Sequence, residues 1–349
     1  MLYIDGIIFS LQASGGISTC FQELLTGITL RKVDYNFLSY GGNKVFEESQ
    51  IPNSRIIQNN SKLPLTAQRY LDVKAPEHTS IFHSSYYRIP TQKSIRTITT
   101  VHDFTYERYS SGIKKFIHHW QKKRAILNSD TVICISESTK NDLYHFIPES
   151  RSLDVRVIPN GVSPDFHIIP PPYAPTSDFV LYVGARSGYK NFSSLVKALS
   201  IVPEVKLVSV GGGELSDAEK SLLQKNLCGR YTHMNFVSNE ELNILYNTAF
   251  CFAYPSLYEG FGIPVLEAMK AGCPVIASNS SSLPEVCGDA AILLNDINPD
   301  TLAHAISSLH QANLRTDLIE KGVKNSSRFS WDMNITSIMN IYKESEGVF

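Results

Sequence analysis

The sequence predicts an α/β protein made of two open parallel-sheet domains in series. Three observations carry this. Short β-rich runs alternate with longer stretches of helical periodicity. The alternation halts at a proline- and turn-rich stretch near the middle, then restarts. The 349 residues match two domains at roughly 100–200 residues each.

Taken in order, Leu2–Phe9 is an opening strand, followed by Gly15–Gly16 and a helical pattern over Ile17–Leu30. Ser80–His83, Arg96–Val101 and Thr131–Ile135 are further strands, each leading through a polar or glycine-bearing turn into helix-like sequence. The stretch Val155–Phe166, with Pro170–Pro172 after it, reads as the linker and places the domain boundary at 166/167. Beyond it, Phe179–Gly184, Val205–Val210, Cys251–Tyr254 and Pro274–Ala277 are the strands of a second open sheet. Open parallel sheets bind ligands beyond the carboxyl ends of their strands, so two in series place a ligand in the cleft between them.

Composition bounds the function. Formal net charge is −1, so global charge gives no reason to expect nucleic acid as a partner. The N-terminus lacks the basic, apolar and small-residue succession of a secretory signal, and no stretch approaches 18 uncharged apolar residues. The six cysteines form no CxxC pair and no zinc spacing with histidine, so they read as reduced thiols of a cytoplasmic protein.

Four loops carry candidate chemistry. Gly15–Gly16–Ile17–Ser18 joins the first strand to the first helix, where a close backbone approach and a helix N-terminus suit an anion, though a tight turn explains it equally. Gly184 to Asn191 places Arg186 and Lys190 on a glycine-bearing loop that opens a helix. Two cations there suit a diphosphate, a solvated loop being the plain alternative. Glu259–Gly260–Phe261–Gly262–Ile263–Pro264–Val265–Leu266–Glu267 sets two carboxylates on either side of a loop that exposes backbone amides. One can hold a ribose diol and the other a sugar hydroxyl; a surface helix with two glutamates is the alternative. His102–Asp103, at a strand end, can polarise or bind a hydroxyl, or be a satisfied core pair.

Absences narrow the chemistry. There is no Asp-x-Asp pair to hold a metal on nucleotide phosphates, no P-loop, and no GxGxxG fingerprint. No metal or cofactor is expected. Side-chain cations would neutralise a leaving diphosphate instead. Finally, Gly112–Leu127 is a helix with Ile113, Phe116, Ile117, Trp120 and Leu127 along one face and five cations, Lys114, Lys115, Lys122, Lys123 and Arg124. Residues 113–124 suit an anionic membrane surface, or the apolar stripe faces the core and leaves a basic solvated face.

These residues resemble a known family. The double-glutamate motif around GFGIP, the stretch YVGARSGYKN at Tyr182–Asn191 and IPNGV at Ile158–Val162 resemble family-4 retaining glycosyltransferases of the GT-B fold. The opening IFSLQ-x-x-GGIS at Ile8–Ser18, TVHDFTYERY at Thr100–Tyr109, ISESTKNDL at Ile135–Leu143 and FSWD at Phe329–Asp332 extend the resemblance over nearly the whole chain. It implies two Rossmann-like domains facing each other across a cleft. The first, 1–166, would bind the acceptor, and a C-terminal helix, 331–349, would cross back to it; the second, 167–330, would bind the nucleotide sugar.

By this resemblance Glu267 holds the ribose, Glu259 the hydroxyls of the transferred sugar, and Phe261 to Pro264 the sugar and phosphates through backbone amides. Arg186 and Lys190 stabilise the departing diphosphate, with Gly16 and the loop glycines Gly184, Gly260 and Gly262 beside it. His102, with Asp103, lies near the sugar on the acceptor side. The family usually carries a basic residue before the Lys-Asn pair; Tyr189 stands there, with Arg186 four residues before Lys190. The implied reaction retains anomeric configuration and needs no protein nucleophile.

The opening motif and the GYKNF loop are similar to those of bacterial O-antigen and capsule transferases. This implies a hexosyltransferase acting in surface polysaccharide synthesis, with GDP-mannose as donor and a lipid-linked (polyprenyl diphosphate) oligosaccharide as acceptor. It would work in the cytoplasm, peripheral at the inner face of the membrane. A UDP-sugar donor is the alternative within the class. An epimerase or phosphorylase of the same fold, a non-catalytic nucleotide-sugar-binding scaffold and an NAD-dependent dehydrogenase are the readings outside it.

Overall fold

The computed structural model describes residues 1–12, 15–41, 51–170, 178–186 and 188–346. The chain divides into two compact units, one of residues 1–161 with 331–349 and one of residues 162–330. The break falls after Gly161, five residues before the boundary expected from the turn-rich stretch. Val162 bridges Ser330, and Phe166 packs edge-on against Tyr246, so both residues are tied into the second unit. Of the proline cluster after it, Pro171 and Pro172 lie outside the described residues.

The first unit holds a seven-stranded, fully parallel sheet in the order β3-β2-β1-β4-β5-β6-β7. Its strands are β1 (Leu2–Asp5), β2 (Tyr35–Ser39), β3 (Ile56–Gln58), β4 (Ile81–Ser84), β5 (Arg96–Val101), β6 (Thr131–Cys134) and β7 (Asp154–Val157). The opening strand is shorter than expected. It ends at Asp5, and Ile8–Leu11 is a helical turn closed by Leu11 N–H to Ile7 and Gln12 N–H to Ile8. Ile7, Ile8 and Phe9 are all buried, and an apolar run without alternation does not separate strand from helix. The stretch read as linker gives up its first residues to β7, an edge strand.

The helix Trp331–Glu346 completes this unit. It packs on the helix Gly16–Leu30, where Gly27 makes the close approach possible: a Cβ there would lie 2.3 Å from Ile335 Cδ1. Its Tyr342 hydroxyl reaches the buried imidazole of His83 on β4 at 2.6 Å.

The second unit holds a six-stranded parallel sheet in the order β10-β9-β8-β11-β12-β13. The strands are β8 (Phe179–Val183), β9 (Lys206–Val210), β10 (Tyr231–Met234), β11 (Cys251–Tyr254), β12 (Val275–Ser278) and β13 (Ile292–Leu294). Its core is built by Val180, Tyr182, Leu195, Leu199, Leu207 and Ile306, all buried between the sheet and its helices. Both sheets reverse direction of winding beside their first strand, the place where open α/β sheets gather ligand-binding loops. Among the described residues no helix is long and apolar enough to cross a membrane.

Candidate active site

In the second unit the reversal falls between β8 and β11, and the two candidate loops follow these strands. After β8, Gly184 takes φ +123° and the chain turns through a short 3-10 helix, Gly188–Lys190, into the helix Phe192–Ile201. Asn191 caps that helix in a left-handed conformation, φ +54°, which asparagine tolerates better than most residues. After β11 the chain runs through Glu259 to Gly262, φ +113°, which opens the helix Ile263–Lys270.

Three contacts stitch the loops together. Leu257 N–H donates to the Tyr189 carbonyl at 2.8 Å, Asn191 Nδ2 donates to the Pro255 carbonyl at 3.2 Å, and Lys190 Nζ pairs with a Glu259 carboxylate oxygen. The Lys190 and Glu259 side chains are only 14% and 13% exposed, and the ammonium lies 5.5 Å over the Tyr254 ring and 5.3 Å over that of Tyr189. A charged pair, ammonium against carboxylate, is therefore held at the switch point of the second sheet.

A run of serines behind β12 supports the second loop. Ser281, itself at φ +51°, accepts the Glu259 N–H at 2.8 Å. Ser282 donates to the carbonyls of Phe261 at 2.7 Å and Glu259 at 3.0 Å. Nothing in the loop's own sequence pointed to this support; the signal was the Ser278–Asn279–Ser280–Ser281–Ser282 run directly after a strand. Pro264 needs a correction: it stands in the first turn of the helix and has no N–H, so it cannot donate to a ligand. Its part is to fix φ for the first turn of the helix, where the Val265 N–H donates to the Gly262 carbonyl at 3.0 Å.

Glu267, on that same helix, receives the hydroxyl of the fully buried Tyr246 at 3.1 Å. Burial pushes its carboxyl up to about 7, against the opposing pull of the tyrosine hydrogen bond. Arg186 is placed differently from Lys190. Its side chain is 3% exposed, and its guanidinium donates to Glu219 at 2.7 Å, to the Gly211 carbonyl at 2.6 Å, and to the carbonyls of Gly212, Gly213 and Glu214. The three glycines all have positive φ, and Glu219 is held by the cap it forms with Ser216. Arg186 thus braces the turn after β9, whereas Lys190 and Glu259 meet each other.

The first unit carries the other candidates. Gly16 starts its helix with open space around its α-carbon, since an added Cβ would meet nothing within 4 Å. His102 follows β5 and is 5% exposed. Burial holds its imidazole down to about 4, so it is neutral at pH 7. Among the described residues its Nε2 has no hydrogen-bond partner, and His102 lines a cavity of about 20 Å³ with His83, Thr100, Asn160 and Asn334. His83 is bonded on both sides, to Tyr342 and to Thr100 Oγ1 at 2.9 Å. Asp103 turns back to accept the Thr105 N–H at 3.1 Å.

The helix Gly112–Leu127 settles which way its stripe points. Ile113, Phe116 and Trp120 are 77%, 72% and 50% exposed, so the core-facing alternative is overturned. The basic face also differs from expectation. Lys122 is fully buried, Lys123 pairs with Glu149, and Arg124 forks onto Asp72 at 2.7 and 2.8 Å.

Comparison with known proteins agrees with this architecture. The model described as "Glycosyltransferase Family 4" matches residues 14–166, and "Glycosyl transferases group 1" matches residues 168–325. The chain is 28% identical to O-antigen chain mannosyltransferase B of Escherichia coli over 284 residues, covering 75% of this chain and 74% of that protein. Among solved structures, sucrose-phosphate synthase from Thermosynechococcus elongatus superimposes with a TM-score of 0.81 at 20% identity, covering 100% of this chain and 99% of the other. Anabaena HepE, solved in complex with UDP-glucose, does so with a TM-score of 0.74 at 16% identity, over 98% and 99% of the two chains. With two parallel Rossmann-like sheets and both family models in succession along it, the chain belongs to the family-4 glycosyltransferases and has the GT-B fold.

Proposed function

We propose that the chain is a retaining hexosyltransferase that takes mannose from GDP-mannose without a metal. The observation that carries the reading is the Lys190–Glu259 pair at the switch point, beside the amide-lined start of the helix that bears Glu267. Glu267 receives the ribose diol, Glu259 the sugar hydroxyls, and Lys190 the diphosphate. Arg186 holds the neighbouring glycine turn in shape. In the transfer step the bond from the anomeric carbon to the phosphate oxygen breaks, and the acceptor oxygen bonds that carbon on the same face. The acceptor proton leaves with the departing phosphate. The chain's contribution is charge stabilisation and positioning.

Mannose as the transferred sugar, and a place in surface polysaccharide synthesis, are supported by the Escherichia coli relative, named an O-antigen chain mannosyltransferase; the lipid-linked oligosaccharide acceptor is what the resemblance to O-antigen and capsule transferases implies. The outward stripe of Ile113, Phe116, Ile117 and Trp120, flanked by Lys114 and Lys115, supports peripheral contact with an anionic membrane.

Thermal stabilisation by GDP, UDP, CMP and NAD tests the donor first, because a ligand that binds only the native state raises apparent stability. Selective stabilisation by GDP is expected. Stabilisation by UDP alone would keep the class and replace the donor; a response to NAD alone would favour a dehydrogenase, and a response to none of the four would overturn the nucleotide-sugar reading. Mannosyl transfer should survive EDTA, and a complete loss restored by Mn²⁺ would overturn the metal-free reading.

A further inference from the structure

The helix Gly112–Leu127 turns Ile113, Phe116, Ile117 and Trp120 outward, and beside Ala125 and Ile126 it buries three polar residues, His118, Gln121 and Lys122. A buried ammonium is costly unless every donor is answered. Lys122 Nζ donates to the Glu107 carboxylate at 2.9 Å and to the backbone carbonyl of Asp103 at 2.8 Å. The face of Phe104 lies 4.2 Å away and that of Tyr87 5.4 Å away, closing the box.

What the ammonium grips is the turn that carries His102. Asp103 follows His102 directly, Phe104 is the next residue, and Glu107 lies in the short helix Thr105–Tyr109 that ends the same turn. Tyr87 comes from the segment after β4, at φ +50°, and the His102 backbone hydrogen-bonds it. A strained non-glycine residue of this kind persists only where its surroundings hold it. Replacing a buried ion pair by apolar residues of similar volume is often neutral or stabilising, so stability alone does not explain this one. The Asp103 carbonyl, by contrast, has its side-chain donor in Lys122.

We propose that Lys122 is a positioning residue: through the Asp103 carbonyl it sets the turn that aims the His102 imidazole. What His102 does once aimed rests on the transferase reading; the positioning itself does not.

The test uses the full chain and the variants E107Q, K122M and K122M/E107Q, with two readouts. One is the His102 imidazole nitrogen resonances, assigned by their loss in H102Q. The other is kcat and KM for mannosyl transfer from GDP-mannose. The double variant removes both charges and so folds without an unpaired buried carboxylate. E107Q keeps Lys122 on Asp103, so its His102 resonances should not move and its turnover should stay within about threefold of the parent. K122M/E107Q should shift the His102 resonances and lower kcat by about 10- to 100-fold, the scale of a small misplacement, with donor KM little changed. A double variant that matches E107Q in His102 resonances overturns the proposal. If the parent moves no sugar from GDP-mannose, that donor fails, and the resonances still decide for or against Lys122.

Discussion

Lys190 and Glu259, 69 positions apart, neutralise each other at the carboxyl end of the second sheet. An arriving diphosphate must therefore share or displace the carboxylate, and a sugar hydroxyl donating to Glu259 would release Lys190 toward the phosphates. Replacing Lys190 with alanine should lower kcat by about 10²–10³-fold, the usual cost of one preorganised charge donor, with acceptor KM little changed. Steady-state kinetics with both substrates varied checks this; unaltered turnover removes Lys190 from the mechanism.

Glu267 predicts a pH dependence. Its carboxyl is raised to about 7, and a ribose diol donates to the ionised form, so nucleotide binding should expel a proton below that pH. Affinity should climb from pH 6 to 7, approaching about tenfold per pH unit on the acid side, then level off. Calorimetry in two buffers of different ionisation enthalpy reads the proton directly. The E267Q variant should bind more weakly and lose the slope.

Arg186 should behave as a brace. R186A removes the donor shared by the Glu219 carboxylate and four carbonyls, of which Glu219 keeps Ser216 and the Gly213 carbonyl keeps His233, so stability should drop by roughly 2 kcal/mol. The kinetic damage should fall on donor KM more than on kcat, the opposite of K190A. R186K should not rescue it, because an ammonium cannot fork to acceptors spread from Gly211 to Glu219. Equal damage to kcat in R186A and K190A would place both cations on the leaving group.

F116E/W120E should fold like the parent, within about 0.5 kcal/mol, because both side chains are largely exposed. It should fail to float with vesicles rich in anionic lipid, while nucleotide binding is unchanged. Flotation equal to the parent's would remove the outward stripe as a membrane contact.

How far the sequence shows all this differs by residue. Lys190 and Glu259 were legible because each follows a strongly apolar strand through a glycine-bearing loop, and strand ends at a switch point are where such loops meet. Strands such as Asp154–Val157 and Tyr231–Met234 were not. They are edge strands of four residues with charged or polar members, too short and too wet to show a pattern. Arg186 and Lys122 were illegible for a different reason. In sequence Arg186 reads as a cation for a diphosphate and Lys122 as part of a basic face, and only the fold shows the carbonyls converging on them. The stripe on Gly112–Leu127 was read correctly as a stripe, but periodicity fixes a face and not the side of the molecule it takes.

The bond between Tyr342 and His83 spans 259 positions, and the helix that supplies it lies beyond the entire second unit in the chain. On the ribosome, the first sheet therefore waits for its last helix while residues 162–330 are made, on the order of ten to thirty seconds at ordinary elongation rates. Over that interval the groove along Gly27 stands open and apolar, so the half-made chain is exposed to chaperones and proteases. The second unit has no such debt and can finish first, a reversal of the usual order in which a nascent protein matures from its N-terminus.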